Sequence, residues 1–275
     1  MYTYAIEKGL VWQFHYDGRA GMILGKMSLA GKTAVVTGAS RGLGRAMALG
    51  LAEAGADLVL VSRGMSGLRK VSREIDRLGR KSLPIGADIS NLKDINAMVE
   101  RAMGEFGRID ILVNNAGTTF RMPSEDFTEE AWDKVIDVNL KGAFFCAQAV
   151  GKVMIDQRAG KIINIASLLS VIGVPTAVAY AASKGGISQL TKTLAVEWAK
   201  YNINVNAIGP GYFRTDLTKP LQEDENRSAR ILSRIPLGRW GDPDDLKGVV
   251  VFLASSASDY ITGQTIYVDG GWLAG

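Results

Sequence analysis

One cysteine and one histidine stand in 275 residues, and each scarcity removes a class of chemistry. Cys146 alone permits no internal disulfide and no multi-cysteine zinc site. Residues 38–42 match G-x-S-x-G, the nucleophile turn of α/β-hydrolases, but that fold needs a histidine downstream of the serine. The only histidine, His15, lies upstream, which excludes that reading. No apolar run approaches the ~18 residues of a membrane-spanning helix. Lys/Arg runs and low-complexity tracts are missing too. The net charge of +4 comes from 32 basic and 28 acidic residues that are interspersed, so nucleic acid is not expected as a partner. Such a chain, 47% hydrophobic and 22% charged, can bury one large core, and a cytoplasmic location is expected.

The first 26 residues lack clear periodicity, and Glu7, Lys8, Gln13, His15 and Asp17 break every apolar stretch, so they make a poor signal peptide. The expectation is an extension outside the fold, with Met22 or Met27 as candidate true starts. An arm packed on a neighbouring subunit is the alternative. From Lys32 onward, short apolar runs alternate with helical periodicity. Strands are expected at Thr33–Thr37, Leu58–Val61, Ser82–Ile85, Ile109–Val113, Lys161–Ile165, Asn204–Ile208 and Thr265–Val268. Helices are expected at Gly42–Ala54, Leu92–Phe106, Glu129–Met154 and Tyr180–Lys200. This alternation, with near-continuous apolar strands, predicts a single Rossmann-like α/β domain over residues 27–275, its doubly wound parallel sheet covered by helices on both faces. The segment 211–236 interrupts the rhythm, holds Pro220 and the acids Glu223–Glu225, and shows helical spacing only near Ile231–Ile235. A loop of that length is usually functional, and it is read as a lid. The acids at Asp242–Asp245, beside Pro243, read as a helix start and not as a metal site, so no metal is expected.

The first strand feeds directly into Gly38-Ala39-Ser40-Arg41-Gly42-Leu43-Gly44, where a helix begins. Glycines let such a turn approach a pyrophosphate, whose charge is met by N–H groups at the helix N-terminus. The G-x-x-x-G-x-G spacing is weak by itself and gains weight from its strand–turn–helix setting. Gly31-Lys32-Thr33 resembles the end of a P-loop, but Lys26 stands where that motif needs glycine and the strand follows instead of preceding it. An acidic residue at the end of the second strand would hold the ribose of NAD. Here the strand ends in Ser62-Arg63, so Arg63 and Arg41 can grip a 2′-phosphate, and NADP(H) is expected over NAD(H). The alternative is two solvated arginines.

Tyr180 and Lys184 are four residues apart and share one helix face, thirteen residues and more after Ser167. A phenol works poorly as an acid or base at neutral pH until a nearby cation favours its anion, and Lys184 is placed to be that cation. With the phosphate-cradling turn, this points to hydride transfer paired with proton transfer.

These residues resemble the short-chain dehydrogenase/reductase family across about residues 28–275. The matching motifs are TGASRGLG (37–44), Asp88, NNAG (114–117), Asn139, Ser167, YAASK (180–184) and PG-x-x-x-T (210–215). The resemblance implies Tyr180 as proton donor or acceptor, with Ser167 orienting the substrate oxygen. It further implies that Lys184 holds the nicotinamide ribose and lowers the Tyr180 pKa, and that Asn139 holds a water in a proton relay. Ser62, Asp88, Ile89, Asn115, Ala116 and Gly117 would lie on the adenine side and along the sheet, with Pro210, Gly211 and Thr215 on the nicotinamide side. A homotetramer built through the two long helices is implied as well, with Cys146 packing in the first. Within the family, residues 234–272 resemble sugar-acid oxidoreductases such as gluconate 5-dehydrogenase and 2-deoxy-gluconate dehydrogenase. Arg121, four residues past NNAG, could then pair with a substrate carboxylate, with Tyr212 as a weaker contact. TGASRG and the Ser-Arg strand ending are shared with 3-oxoacyl-[acyl-carrier-protein] reductases, the runner-up. A non-catalytic nucleotide sensor is a third reading, disfavoured by the intact Ser167, Tyr180, Lys184 and Asn139.

Overall fold

The computed structural model describes residues 23–275, so most of the expected 1–26 extension lies outside the described residues. Its last four residues, Ile23–Lys26, form a short helix, α1, with no buried side chain. Seven strands follow: β1 (Thr33–Thr37), β2 (Asp57–Ser62), β3 (Ser82–Gly86), β4 (Ile111–Asn114), β5 (Gly160–Ile165), β6 (Ile203–Pro210) and β7 (Thr265–Val268). All pair in parallel in the order β3-β2-β1-β4-β5-β6-β7. The helices are α2 (Gly42–Glu53), α3 (Met65–Arg77), α4 (Leu92–Phe106), α5 (Glu129–Ile136), α6 (Ala143–Gln157), α7 (Val178–Trp198), α8 (Lys219–Glu223), α9 (Glu225–Leu232) and α10 (Lys247–Ala254).

Successive strand residues point to opposite faces, so a sheet covered on both sides needs apolar residues at every position of its central strands. β1 and β2 meet that demand. Ala34, Val36, Leu58 and Leu60 pack with Met47, Leu51, Leu68, Ile75, Val250 and Leu253 of α2, α3 and α10. Val35, Val59 and Val61 pack on the other side with Met98, Cys146, Val150, Met154 and Leu194 of α4, α6 and α7. A fully buried leucine such as Leu60 contributes about 1.5–3 kcal/mol by leaving water. Cys146 belongs to this packing, and burial pushes its thiol up to about 12. Among the described residues, no helix is long and apolar enough to cross a membrane.

Because β1 pairs with both β2 and β4, the strand order reverses beside it, and the crevice at the strands' carboxyl ends is where such sheets bind ligands. Two departures from the expected elements shape that crevice. The single helix expected over Glu129–Met154 is interrupted by a π-helical turn at Asp137–Gly142. Such turns insert one residue into a helix, often at functional sites. At this one, Gly142 presses so close to the loop after β3 that a Cβ would lie 2.6 Å from the Ile89 carbonyl. The segment 211–236, expected as mostly loop, holds α8 and α9. Asp224 caps α9 by accepting the Arg227 N–H at 3.0 Å, so this acid of the Glu223–Glu225 group serves as helix punctuation. The Asp242–Asp245 acids do likewise, with the Asp245 carboxylate accepting the Asp242 N–H at 2.8 Å.

Candidate active site

A cleft of about 1060 Å³ opens at the carboxyl ends of β1, β2 and β4. The turn from Gly38 to Gly44 forms its floor, with Ser62, Arg63 and Asp88 at one end and Tyr180, Lys184 and Thr215 at the other. Ile89, Asn115, Ala116 and Gly117 line the wall between them. The three motif glycines are needed for different reasons. A Cβ on Gly38 would lie 2.7 Å from the Asn115 amide, and one on Gly44 would collide with the Gly38 carbonyl and the same amide. Both are therefore required by the protein's own packing. Gly42 has φ +53° and only the Thr215 side chain near it, so its glycine serves the left-handed turn beneath the cleft. Asn115 locks the arrangement by donating to the Thr37 carbonyl at 2.8 Å, while the Thr37 hydroxyl accepts the N–H groups of Asn115 and Ala116.

The N-terminus of α2 suits an anion. Arg41 precedes it in extended conformation without a side-chain cap, and its first turn carries no acid. By contrast, Asn91 and Thr128 cap α4 and α5. The first amides of α2 thus keep their donors for a phosphate, as the dipole also favours. Arg63 is exposed and ion-pairs with no carboxylate among the described residues. Its charge and the Ser90 N–H and hydroxyl hold Asp88 below the usual carboxylate range, the Ser90 backbone contributing most. Arg41 is differently placed. It is bonded at 2.9 Å to Asp216 of the 211–236 segment, 175 residues away. Pro210 ends β6, and the Gly211 N–H donates to the Val268 carbonyl of β7 at 2.9 Å.

The catalytic candidates Ser167, Tyr180 and Lys184 converge. Ser167 ends the segment after β5, caps the turn that follows by accepting the Leu169 N–H at 3.2 Å, and lies against the Tyr180 phenol. Burial raises the Tyr180 pKa, while the Ser167 hydroxyl and then the Arg121 guanidinium work against that rise. Lys184 is not among the groups that lower it. Its ammonium lies 5.6 Å from the centre of the Tyr180 ring and donates to the Ile165 carbonyl at 2.5 Å. Burial lowers Lys184 itself to about 8, which weakens it as a fixed cation. Asn139, expected to hold a water, bridges Thr118 and Ser183 with its side chain. Its side chain accepts the Thr118 N–H at 2.8 Å and donates to the Thr118 carbonyl at 2.9 Å and the Ser183 hydroxyl at 3.0 Å. This clamp fixes the loop after β4 to the π-helical turn. Neither Thr118 nor Ser183 carries a sequence signal for it, since backbone atoms and a small hydroxyl do the holding.

Arg121 follows that loop, whose Met122 N–H reaches the Thr176 carbonyl at 3.1 Å, just before α7. It lies near the phenols of both Tyr180 and Tyr212 and has no carboxylate partner among the described residues. Tyr212 packs edge-to-face on Trp240 and tilted against Trp272, at 5.6 and 4.8 Å between ring centres. Leu168 and Leu169, next to Ser167, pack into the same cluster.

A buried phenol beside a hydroxyl, a buried lysine and an uncapped helix over a glycine turn form one constellation, and its sequence matches known proteins. The family described as Enoyl-(Acyl carrier protein) reductase matches residues 38–273. The chain belongs to the short-chain dehydrogenase/reductase family. It is an NAD(P)-dependent oxidoreductase acting on CH–OH groups. The chain is 53% identical to 2-dehydro-3-deoxy-D-gluconate 5-dehydrogenase of Escherichia coli, over 92% of this chain and 100% of that protein. It is 42% identical to 5-keto-D-gluconate 5-reductase of the same organism, over 90% and 97%. Among solved structures, a gluconate 5-dehydrogenase from Burkholderia cenocepacia in complex with NADP and tartrate superposes with a TM-score of 0.89 at 40% identity, over 92% of this chain and 100% of that one.

Proposed function

We propose that this short-chain dehydrogenase/reductase interconverts the hydroxyl and keto forms of a sugar acid, such as gluconate and 5-ketogluconate or a deoxy-gluconate, with NADP(H) as its preferred coenzyme. The observation that carries the substrate class is Arg121, a guanidinium with no carboxylate partner among the described residues, whose charge acts on the phenols of both Tyr180 and Tyr212. A sugar-acid carboxylate is its natural partner, through paired charge-assisted bonds. The relatives named above act on such acids, which supports the same reading. For the coenzyme, Ser62-Arg63 at the end of β2 presents a cation in place of the acid that would favour NAD.

When bound, the nicotinamide coenzyme supplies or accepts the hydride. The chain's own residues manage the oxygen and its proton. Tyr180 donates its proton to the substrate oxygen in reduction, and the Ser167 hydroxyl orients that oxygen and stabilises its developing charge. A raised phenol pKa keeps Tyr180 protonated at neutral pH, which suits it to donate. Lys184 and Asn139 act as positioning residues, the first tying α7 to the Ile165 carbonyl under the cleft and the second clamping Thr118. The amides opening α2 take the pyrophosphate, Arg63 the 2′-phosphate, and Thr215 the lid side. The exposed Trp132, Val178 and Val196 of the long helical segments are the faces that neighbours cover in a homotetramer.

The test is NADPH oxidation by the purified protein with 5-ketogluconate and an acetoacetyl thioester in parallel. Faster turnover of the keto-acid is expected. Faster turnover of the thioester would overturn the substrate class and leave Arg121 a surface charge.

A further inference from the structure

Arg234 is the other cation on the Tyr212 side of the site. Its guanidinium lies 4.3 Å over the Trp272 ring, and Trp272 in turn lies 4.8 Å from Tyr212. Arg234 is exposed, on a segment that is anchored. The neighbouring Ile231 and Ile235 are buried in the cluster with Trp240 and Trp272, and the Arg234 N–H bonds to the Ile231 carbonyl at 3.1 Å. Stacking on an indole fixes the plane of a guanidinium while leaving its N–H edge free for a two-pronged bond. Three other arginines of this end of the molecule spend that edge on acids, Arg214 on Asp242, Arg227 on Asp224 and Arg239 on Asp245, while Arg230 of α9 pairs with none among the described residues. Arg234 meets no carboxylate among the described residues. Burial raises the Tyr212 phenol, and the charges of Arg121 and then Arg234 work against that rise. The Trp272 indole N–H is buried and finds no acceptor among the described residues. Buried donors without a partner are uncommon and call for a reason.

We infer that Arg234, held flat by Trp272, is a specificity-determining residue that binds the substrate's carboxylate together with Arg121, from the lid side of Tyr212. This rests on the sugar-acid reading above and goes further by naming a residue of the lid. The recognised ligand is a keto- or hydroxy-acid whose anionic end reaches past Tyr212, while its reacting carbon stays at Tyr180. Lid and specificity are then one device, because the segment that covers the site also brings the second cation.

Steady-state kinetics of Arg234→Gln and Arg234→Lys, with 5-ketogluconate and with L-sorbose, test this. L-sorbose is the same ketone with a CH₂OH group in place of the carboxylate. Arg234→Gln is expected to raise KM for the acid at least about tenfold, as loss of charged hydrogen bonds does. The same variant should leave kcat within about threefold and kcat/KM for L-sorbose within about twofold, on the same scale. Arg234→Lys should recover part of the loss. A parallel fall for both ketones would make Arg234 a packing residue of the lid and overturn the inference. An unchanged KM for the acid, with the wild-type preference for it intact, would overturn it as well. A wild-type enzyme that reduces L-sorbose as well as the acid would instead remove the sugar-acid reading, and the clamp with it.

Discussion

On the coenzyme side of Tyr180 the protein works with backbone, and on the substrate side it works with side chains. The floor between β1 and α2 is a left-handed glycine, uncapped amides and a hydroxyl hub at Thr37, all within one stretch of chain and its neighbour β4. Across the site, Tyr212, Arg234 and Trp272 meet through ring contacts, and the charge of Arg121 acts on the Tyr212 phenol. The difference follows from the ligands. A dinucleotide has the same phosphates in every enzyme that binds it, so rigid backbone donors suffice. A substrate varies in length and charge, and it is read by side chains that can be exchanged without disturbing the sheet.

The residue that joins the two halves gives the largest expected effect. Tyr180→Phe removes the proton donor while keeping the ring and its packing. Turnover should fall by about 10²–10⁴-fold, the usual contribution of general acid catalysis, with coenzyme binding still detectable by fluorescence titration. Retained turnover would detach the proton from Tyr180 and break the proposed mechanism at its centre.

Lys184 sharpens the comparison through pH. Burial lowers its pKa to about 8, against an ordinary 10.5. Between those values the unfolded chain holds a proton that the native state has released, so this group makes stability rise with pH across the window. Below about 8 the native state bears the full cost of a buried ammonium. Lys184→Met abolishes the dependence. The stability of the wild type relative to this variant should improve by up to about 3 kcal/mol from pH 8 to 10.5, read from urea unfolding. A constant difference would mean that the ammonium remains charged through that range, as a fixed cation beside the phenol would.

How far each half is legible in the sequence follows from the same contrast. The glycine turn, the seven strands and the Ser167, Tyr180 and Lys184 set lie at short spacings, where periodicity and helix geometry act directly. Boundaries moved by a few residues at most, as where Ile109 and Asp110 precede β4. The π-helical turn at Asp137–Gly142 leaves no local trace, because the residues around it keep an ordinary helical pattern and its cause is the approach of Gly142 to Ile89. The helices of the lid were hidden by Pro220 and clustered acids, which read as loop until Asp224 is seen capping α9. The bond from Arg41 to Asp216 spans 175 residues, and no spacing rule reaches that far. Arg234 was passed over for the same reason, since only the fold lays it on Trp272.

Arg63→Asp probes the coenzyme side where it does use a side chain. Replacing this cation with an anion should shift the ratio of kcat/KM for NADPH over NADH toward NADH by roughly tenfold or more, since a charged hydrogen bond is lost and a repulsion gained. An unchanged ratio would leave Arg63 as a solvated arginine and remove the basis of the NADP(H) preference.

Asp216→Asn is the smallest and the most discriminating change. The Arg41–Asp216 pair has 75% and 66% of its side chains exposed, so water screens it and its contribution to stability is slight. Its consequence lies in what Arg41 is free to do. While Asp216 holds the guanidinium, Arg41 is less available to a 2′-phosphate, and the lid carries the competing acid. Releasing it should lower KM for NADPH by about two- to threefold, in line with a screened surface pair, and leave KM for NADH unchanged. Added salt should erase the difference, because screening weakens the pair in the wild type as the substitution does in the variant. An equal fall for both coenzymes would place Asp216 against the shared pyrophosphate instead of the 2′-phosphate. A rise for both would make the pair a strap that orders the lid. In that case even the coenzyme side depends on a contact between distant side chains, and the division between the two halves of the cleft is narrower than the glycine turn alone suggests.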